Sequence, residues 1–327
     1  MEREYIGIDL HKAFFQVCAL SPTAERRWEQ RWPRTEAGMA ALVARCGSHS
    51  HLAVEASSPT WAFVDRIAPN VGAVSVVDTR KTRIKAGYAA KTDRLDARRL
   101  ADALRRDSIV GIYYPPPALR DLRELGRYRC HLARLQASLK QRIHALLLRQ
   151  GCTPPRSLFT QRGTRWLDTV ALTGWAADEL RGLRLVLAEV RAQMGPVLTA
   201  IRHLAATDPI ARRLDQQPGF GPVFSLTLRA EIGTIDRFPD GPHLASYAGL
   251  VPRVERSGSR QWSGRITKTG SPWLRWTLIE AAIHQFRRQD ALGRWARGLA
   301  VKKGMLKARV AVARALCAEI VAAWPRS

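Results

Sequence analysis

Nowhere in this 327-residue chain do eighteen uncharged apolar residues follow one another, so no segment reads as a membrane-spanning helix. The N-terminus holds Asp9 where a secretory signal needs an apolar core, and the expectation is a soluble, intracellular protein. Cysteine is sparse: Cys18, Cys46, Cys130, Cys152 and Cys317 are odd in number, widely separated and never paired as Cys-x-x-Cys. That pattern argues against a disulfide framework or a zinc cluster and leaves buried free thiols. Acidic residues are short as well, 28 against 53 lysines and arginines, for a net charge of +25 and a pI near 11.1. A polyanion is the expected partner of such a chain. The imbalance is uneven, because residues 1–110 hold 18 basic and 13 acidic side chains, leaving 35 and 15 for residues 111–327. An arginine-rich coding bias explains a generally basic surface but not this asymmetry, which puts the acids N-terminally and the phosphate grip beyond them.

The few acids sit in tight local contexts. Residues 5–12, Tyr-Ile-Gly-Ile-Asp-Leu-His-Lys, end an apolar run in Asp9, with Gly7 leaving room beside it, and the next apolar run, 14–20, follows at once. That is a first strand entering a hairpin. Glu55 closes a further apolar run, and Asp93 and Asp96 stand in Lys-Thr-Asp-Arg-Leu-Asp-Ala, three apart on a predicted helix and so on one face of it. If the first and fourth strands are parallel neighbours, Asp9 and Glu55 both fall at strand C-termini, where open α/β sheets place their sites. Four carboxylates meeting at one point repel one another unless divalent cations neutralise them, and all-oxygen donors suit Mg²⁺ or Mn²⁺ rather than zinc.

In chain order, strands are expected over 5–9, 14–20 and 26–32, then a helix over 36–46, a strand over 52–55, a helix over 61–68 and a strand over 74–77. The order βββαβαβ, with helices flanking a mixed sheet, is that of an RNase H-like α/β fold. A basic stretch, 79–91, leads to the helix of Asp93 and Asp96. Pro115, Pro116 and Pro117 then mark a boundary, since three successive prolines cannot continue a helix. A long helix over 119–148 repeats Leu125, Leu132, Leu139 and Leu146 every seven residues, with Leu135 in a d-like position, and suits a coiled-coil or helical-hairpin stalk. Its arginines suit either phosphates or a solvated face. A second helical region runs over 176–204, with a kink expected at Gly195-Pro196.

Beyond it, Pro-Gly-Phe-Gly-Pro (218–222) lies between two apolar-periodic helices and resembles a helix-hairpin-helix turn, in which Gly219 and Gly221 bring backbone N–H groups to a phosphate; the alternative is an ordinary helix-to-helix turn. Residues 253–271 read as a polar loop in which Ser257 precedes Gly258 among Arg253, Arg256, Arg260, Arg265 and Lys268. A hydroxyl in so cationic a setting suits a nucleophile toward phosphate, although a Ser-Gly pair taken alone is usually a turn. Ser271 and Pro272 suit the cap and first turn of a helix, and the last fifty residues read as helical and basic, with Trp273, Trp276 and Trp295 in the core.

The ordered set Gly-Ile-Asp, Glu-Ala-x-x-x-x-Trp, Lys-Thr-Asp-x-x-Asp-Ala, Pro-Gly-x-Gly-Pro and Ser-Gly resembles the DEDD transposases of insertion sequence 110 type and the related Piv-type DNA invertases. The resemblance covers nearly the whole chain. It implies a RuvC-like catalytic domain (1–113), a coiled-coil or helical stalk (114–206) and a helical transposase domain (207–327). It further implies that Asp9, Glu55, Asp93 and Asp96 bind metal and that Ser257, rather than Ser259 or Ser263, is the nucleophile. The activity implied is DNA recombination in a prokaryotic, nucleoid-associated setting, at a target chosen by an element-encoded guide RNA. Two metal ions about 4 Å apart would serve phosphodiester cleavage. Acids and serine fall in different predicted domains, which with the heptads suggests a homodimer or homotetramer that completes the site between protomers. A junction resolvase using water, and a non-catalytic nucleic-acid-binding protein, are the competing classes.

Overall fold

The computed structural model describes residues 2–79, 82, 92–257 and 260–326, with the backbone alone for those within 254–263. Its contacts divide the chain into two compact units, Met1–Tyr114 and Pro115–Ser327. The first opens with strands β1 (Glu4–Leu10), β2 (Phe14–Leu20) and β3 (Arg26–Pro33), helix α1 (Glu36–Arg45), β4 (Ser50–Glu55), α2 (Thr60–Ile67), β5 (Ala73–Val77) and α3 (Asp93–Arg105). The sheet order is β3-β2-β1-β4-β5, with β1 antiparallel to β2, parallel to β4, and β4 parallel to β5. The first and fourth strands are therefore parallel neighbours.

Side chains alternate across a strand, and where both faces are covered the middles of β1, β2 and β4 are apolar on both sides, while the edge strand β3 is largely charged and exposed. Ile6, Ile8, Phe15, Val17, Leu52, Val54 and Val76 pack on one face with Leu42 of α1 and Phe63, Val64 and Ile67 of α2. On the other face Cys18, Leu20, Ala53 and Val77 meet Ala97, Leu100, Ala101 and Leu104 of α3. Gly7 lies on this second face. A Cβ built there would stand 2.0 Å from the Ala97 carbonyl oxygen and 2.4 Å from the Ala101 nitrogen, so only glycine lets α3 approach β1 this closely.

The second unit is mainly helical: α4 (Pro117–Arg149), α5 (Gln161–Thr169), α6 (Gly174–Thr207), α7 (Pro209–Asp215), α8 (Pro222–Ile232) and α9 (Gly241–Tyr247) come first. A hairpin of β6 (Pro252–Ser257) and β7 (Arg260–Ile266) follows, then α10 (Pro272–Gln285), α11 (Ala291–Lys303) and α12 (Met305–Ala323). Three expectations are corrected. The polar loop is largely an antiparallel hairpin, pairing Val254 with Ser263 and Ser257 with Arg260, because a ladder of backbone hydrogen bonds needs no apolar face. Leu135 is 40% exposed although Leu132 and Leu146 are buried, so it sits off the seam between α4 and α6. Trp295 is 45% exposed rather than core, because α11 turns Gly293 and Ala296 inward instead. Trp273 and Trp276 are half-buried, the first under the Arg134 guanidinium and the second edge-on to Phe224. Helix α6 runs on through exposed Pro196.

Two apolar clusters fasten α4 to α6, one around Ile143, Leu146, Leu180 and Leu187, the other around Leu132, Val190, Val197 and Ile201. Glu231 of α8, 3% exposed, fixes the near end of α4: its Oε1 accepts from Arg127 at 3.1 Å, and its Oε2 accepts from the Ser271 hydroxyl at 2.9 Å. Ser271 in turn caps α10 by accepting from the Leu274 N–H. Cys18, Cys130 and Cys317 are buried free thiols, and burial pushes Cys317 up to about 12. Among the described residues no helix is long and apolar enough to cross a membrane.

Gly7→Ala is expected to destabilise the first unit by about 1–3 kcal/mol, the usual cost of overpacking a filled core, and to lower its thermal midpoint by circular dichroism. An unchanged midpoint would contradict the backbone contact described for Gly7.

Candidate functional site

Asp9 stands one residue beyond the Ile8–Val54 pair that closes the register of β1 on β4, and Glu55 occupies the corresponding position on β4. By strand alternation both belong to the α3 face. Helix α3 begins at Asp93, its start fixed by the Thr92 hydroxyl accepting from the Leu95 N–H, so Asp93 and Asp96 fall in its first turn. The basic stretch before it, from Arg80 to Lys91 apart from Thr82, lies outside the described residues.

Asp9, with a side chain 14% exposed, accepts at Oδ2 from His11 Nε2 at 3.1 Å, and the same nitrogen is 3.3 Å from Asp93 Oδ1. One ligand atom from each of Asp9, His11 and Asp93 lies within 4.8 Å of the others. Burial holds the Asp9 carboxyl above its usual range; His11 counters this, and the charges of Asp93 and Asp96 reinforce it. Asp96 pairs with Arg99 at 3.1 Å, and Glu55 Oε1 accepts from the Thr79 hydroxyl at 2.5 Å. Neither belongs to the three-residue group. After Glu55 the chain turns without glycine: Thr60 Oγ1 donates to the Glu55 carbonyl at 2.7 Å and accepts from the Ser57 N–H at 2.9 Å.

His11, Thr79 and Arg99 are the neighbours that sequence reasoning did not single out. For His11 a signal existed, since a residue two past Asp9 in extended chain projects to the same side. The donor set fits a divalent cation: carboxylates held close together, one of them partly buried, repel one another and gain when a cation lies between them. An imidazole in the group is more familiar around Mn²⁺ than Mg²⁺.

In the second unit Gly219 has φ 88°, and a Cβ there would meet Gln285 Nε2 at 2.3 Å. Gln285 holds this turn by donating to the Pro218 carbonyl. Gly221 caps α8, and the turn borders a groove of about 420 Å³ shared with Arg129, Phe224 and His284. Arg253, Arg265 and Lys268 are exposed on or beside the hairpin. Arg256, Ser257 and Arg260 lie in its paired strands, but their side chains lie outside what is described, as do Gly258, Ser259 and the Ser263 side chain.

Comparison with known proteins gives the family. Residues 6–151 match a DEDD domain of the IS110 type, described as a transposase, and residues 211–296 match the family described as Transposase IS116/IS110/IS902. The transposase for insertion sequence element IS1111A of Coxiella burnetii is 25% identical over 94% of this chain and 86% of its own length. A pilin gene-inverting protein of Moraxella bovis is 26% identical over 96% of this chain and 92% of its own. A transposase for element IS1328 of Yersinia enterocolitica is 23% identical over 90% and 88%. The chain is thus of the transposase class, enzymes that cut and rejoin DNA. Within that class it belongs to the IS110 family of insertion-sequence transposases.

Because the folded state raises the Asp9 pKa, its ionisation opposes folding. That opposition grows as pH climbs from the unfolded towards the folded pKa and is complete above it. Asp9→Asn is therefore expected to raise the thermal midpoint of metal-free protein by a few degrees at pH 7 and to lose most of the further rise that Mn²⁺ gives the wild type. Equal Mn²⁺ stabilisation of both would contradict a cation site at Asp9.

Proposed function

We propose that this transposase has an RNase H-like (RuvC-like) catalytic domain in which Asp9, Glu55, Asp93 and Asp96 hold Mg²⁺ or Mn²⁺. The observation that carries this reading is the convergence of Asp9, His11 and Asp93, with Asp9 partly withdrawn from water and its pKa held up by burial and by the nearby acids although His11 opposes the shift. The sheet order β3-β2-β1-β4-β5, with α3 laid on β1, supports the fold assignment. A bound divalent cation supplies charge neutralisation at a phosphodiester under attack. His11, hydrogen-bonded to Asp9 and 3.3 Å from Asp93, orients those carboxylates.

In the same reading Ser257 Oγ attacks phosphorus, the bond to the 3′ oxygen breaks, and a 5′-phosphoserine ester keeps the bond energy for rejoining once the serine proton has passed to solvent or to the leaving oxygen. Arg253, Arg256, Arg260, Arg265 and Lys268 neutralise phosphate charge, and the Gly219–Gly221 turn seats a backbone phosphate. Residues 114–206 serve as a stalk and 207–327 as the transposase domain. Two or four copies assemble along α4, a role supported by exposed Leu135 and Leu148. An element-encoded RNA chooses the DNA target, and the protein works in the cytoplasm on the nucleoid.

Labelled donor DNA, reacted with Mg²⁺ and then denatured, tests the chemistry. Wild-type protein should carry label on Ser257 by mass spectrometry, and Ser257→Ala and Asp96→Ala should each lose the adduct and at least a hundredfold in strand transfer while still binding DNA. Ser259→Ala and Ser263→Ala should stay active. Efficient cleavage by Ser257→Ala that leaves free 5′-phosphate ends would make water the nucleophile and a resolvase-like reaction the better description.

A further inference from the structure

One exposed face of the second unit is unused by the chemistry above. Along α11 the exposed positions Ala291, Arg294, Trp295, Gly298, Val301 and Lys302 share one side of the helix, and exposed Lys303 stands beside it at the C-terminal end. Gly293 and Ala296 are buried on the opposite side and anchor α11 against the core. The outer face is apolar where a solvated helix would be polar: Trp295 is 45% exposed and Val301 89%. The corner into α12, turned at Gly304 with φ 80°, continues it with Met305 and Leu306, 46% and 77% exposed. A Cβ on Gly298 would meet nothing within 4 Å, so the face is open and smooth between Trp295 and Val301.

Charge decides what covers it. Residues 294–309 contain six basic side chains and no acidic one. Arg294, Lys302, Lys303 and Lys307 are exposed, and none pairs with a carboxylate among the described residues. The same face of a second copy is a poor occupant, since residues 294–309 of each would bring six basic side chains and no acidic one and like would face like. An aromatic ring flanked by arginine and lysines, with a glycine that lets a backbone come close, matches a strand whose bases are free to stack and whose phosphates are regularly spaced. The family's action on DNA makes a DNA strand the occupant of choice.

We infer that the outer face of α11 and its corner into α12 dock an unpaired DNA strand, with Trp295 stacking on a base and Arg294, Lys302, Lys303 and Lys307 contacting the flanking phosphates. The inference rests on the DNA-processing reading of the family. Val301 and Leu306 pack on the sugar face, and their exposure in the free protein becomes contact in the complex.

The test uses the full chain and fluorescein-labelled oligonucleotides of one sequence as single-stranded DNA, duplex DNA and RNA, with binding followed by anisotropy across a salt series. Trp295→Ala should weaken single-stranded DNA binding roughly tenfold, the usual loss for one stacked base, and leave the duplex within about twofold. The triple variant Lys302→Ala, Lys303→Ala, Lys307→Ala should flatten the log–log salt slope on single strands by about 2, at roughly 0.7 per phosphate contact. Trp175→Ala, which removes an indole still more exposed, 80%, on α6, should change neither. Unaltered affinity and slope in the α11–α12 variants, loss confined to RNA, or a changed oligomeric state with DNA binding intact would each overturn the inference. Wild-type protein that binds none of the three probes would sink the DNA-processing reading with it, whereas wild-type binding with unaffected variants sinks this surface alone.

Discussion

Everything at the acid site depends on how closely α3 lies on β1. At Gly7 a backbone meets a backbone, with the Ala97 carbonyl and the Ala101 nitrogen occupying the space a side chain would need. That contact fixes the helix about one turn from its own start, so the first turn, with Asp93 and Asp96, is carried to the C-terminal end of β1 where Asp9 stands. Packing thereby forces together groups that repel. Burial and the two neighbouring carboxylates hold Asp9 above its ordinary range. An arrangement that works against folding and is nonetheless built by a backbone-to-backbone packing contact is what a functional site looks like in energetic terms.

The second unit shows the opposite economy, with charge spent on structure. Glu231 is a buried carboxylate whose partners, Arg127 of α4 and Ser271 at the start of α10, come from distant parts of the sequence. Arg123 adds hydrogen bonds to the carbonyls of Ala230 and Glu231. The long helix α4 and the root of the hairpin are therefore held to one element, α8. This network ties down only a small part of the unit's excess of cations, and much of the rest remains at the surface for phosphates.

The first unit was legible because its signals are local and redundant. Apolar runs ending in Asp9 and Glu55, and a Thr-Asp-x-x-Asp helix start, gave five strands, three helices and the placement of the acids, and the adjacency of β1 and β4 follows. What escaped was of three kinds. The hairpin of β6 and β7 carries charged and hydroxyl residues that read as loop, since its pairing is backbone hydrogen bonding and leaves no apolar period. Leu135 and Trp295 were assigned inward on residue type, yet their helices present other residues to the core, Leu132 in one case and Ala296 in the other. A large side chain says that burial would be favourable, not that the helix turns that way. Helix α5, and the bridging of two carboxylates by His11, needed tertiary context or a closer look at one extended segment.

The central claim is that Asp9 and its neighbours form a divalent-cation centre on the α3 face of the sheet. Anomalous scattering at the manganese edge, from crystals grown or soaked with Mn²⁺, tests it most directly. The account predicts a peak within bonding distance of an Asp9 oxygen and an Asp93 oxygen, lost in crystals of Asp9→Asn. Protein that cleaves DNA with Mn²⁺ but shows its anomalous density elsewhere, with Asp9 and Asp93 bare, would contradict it.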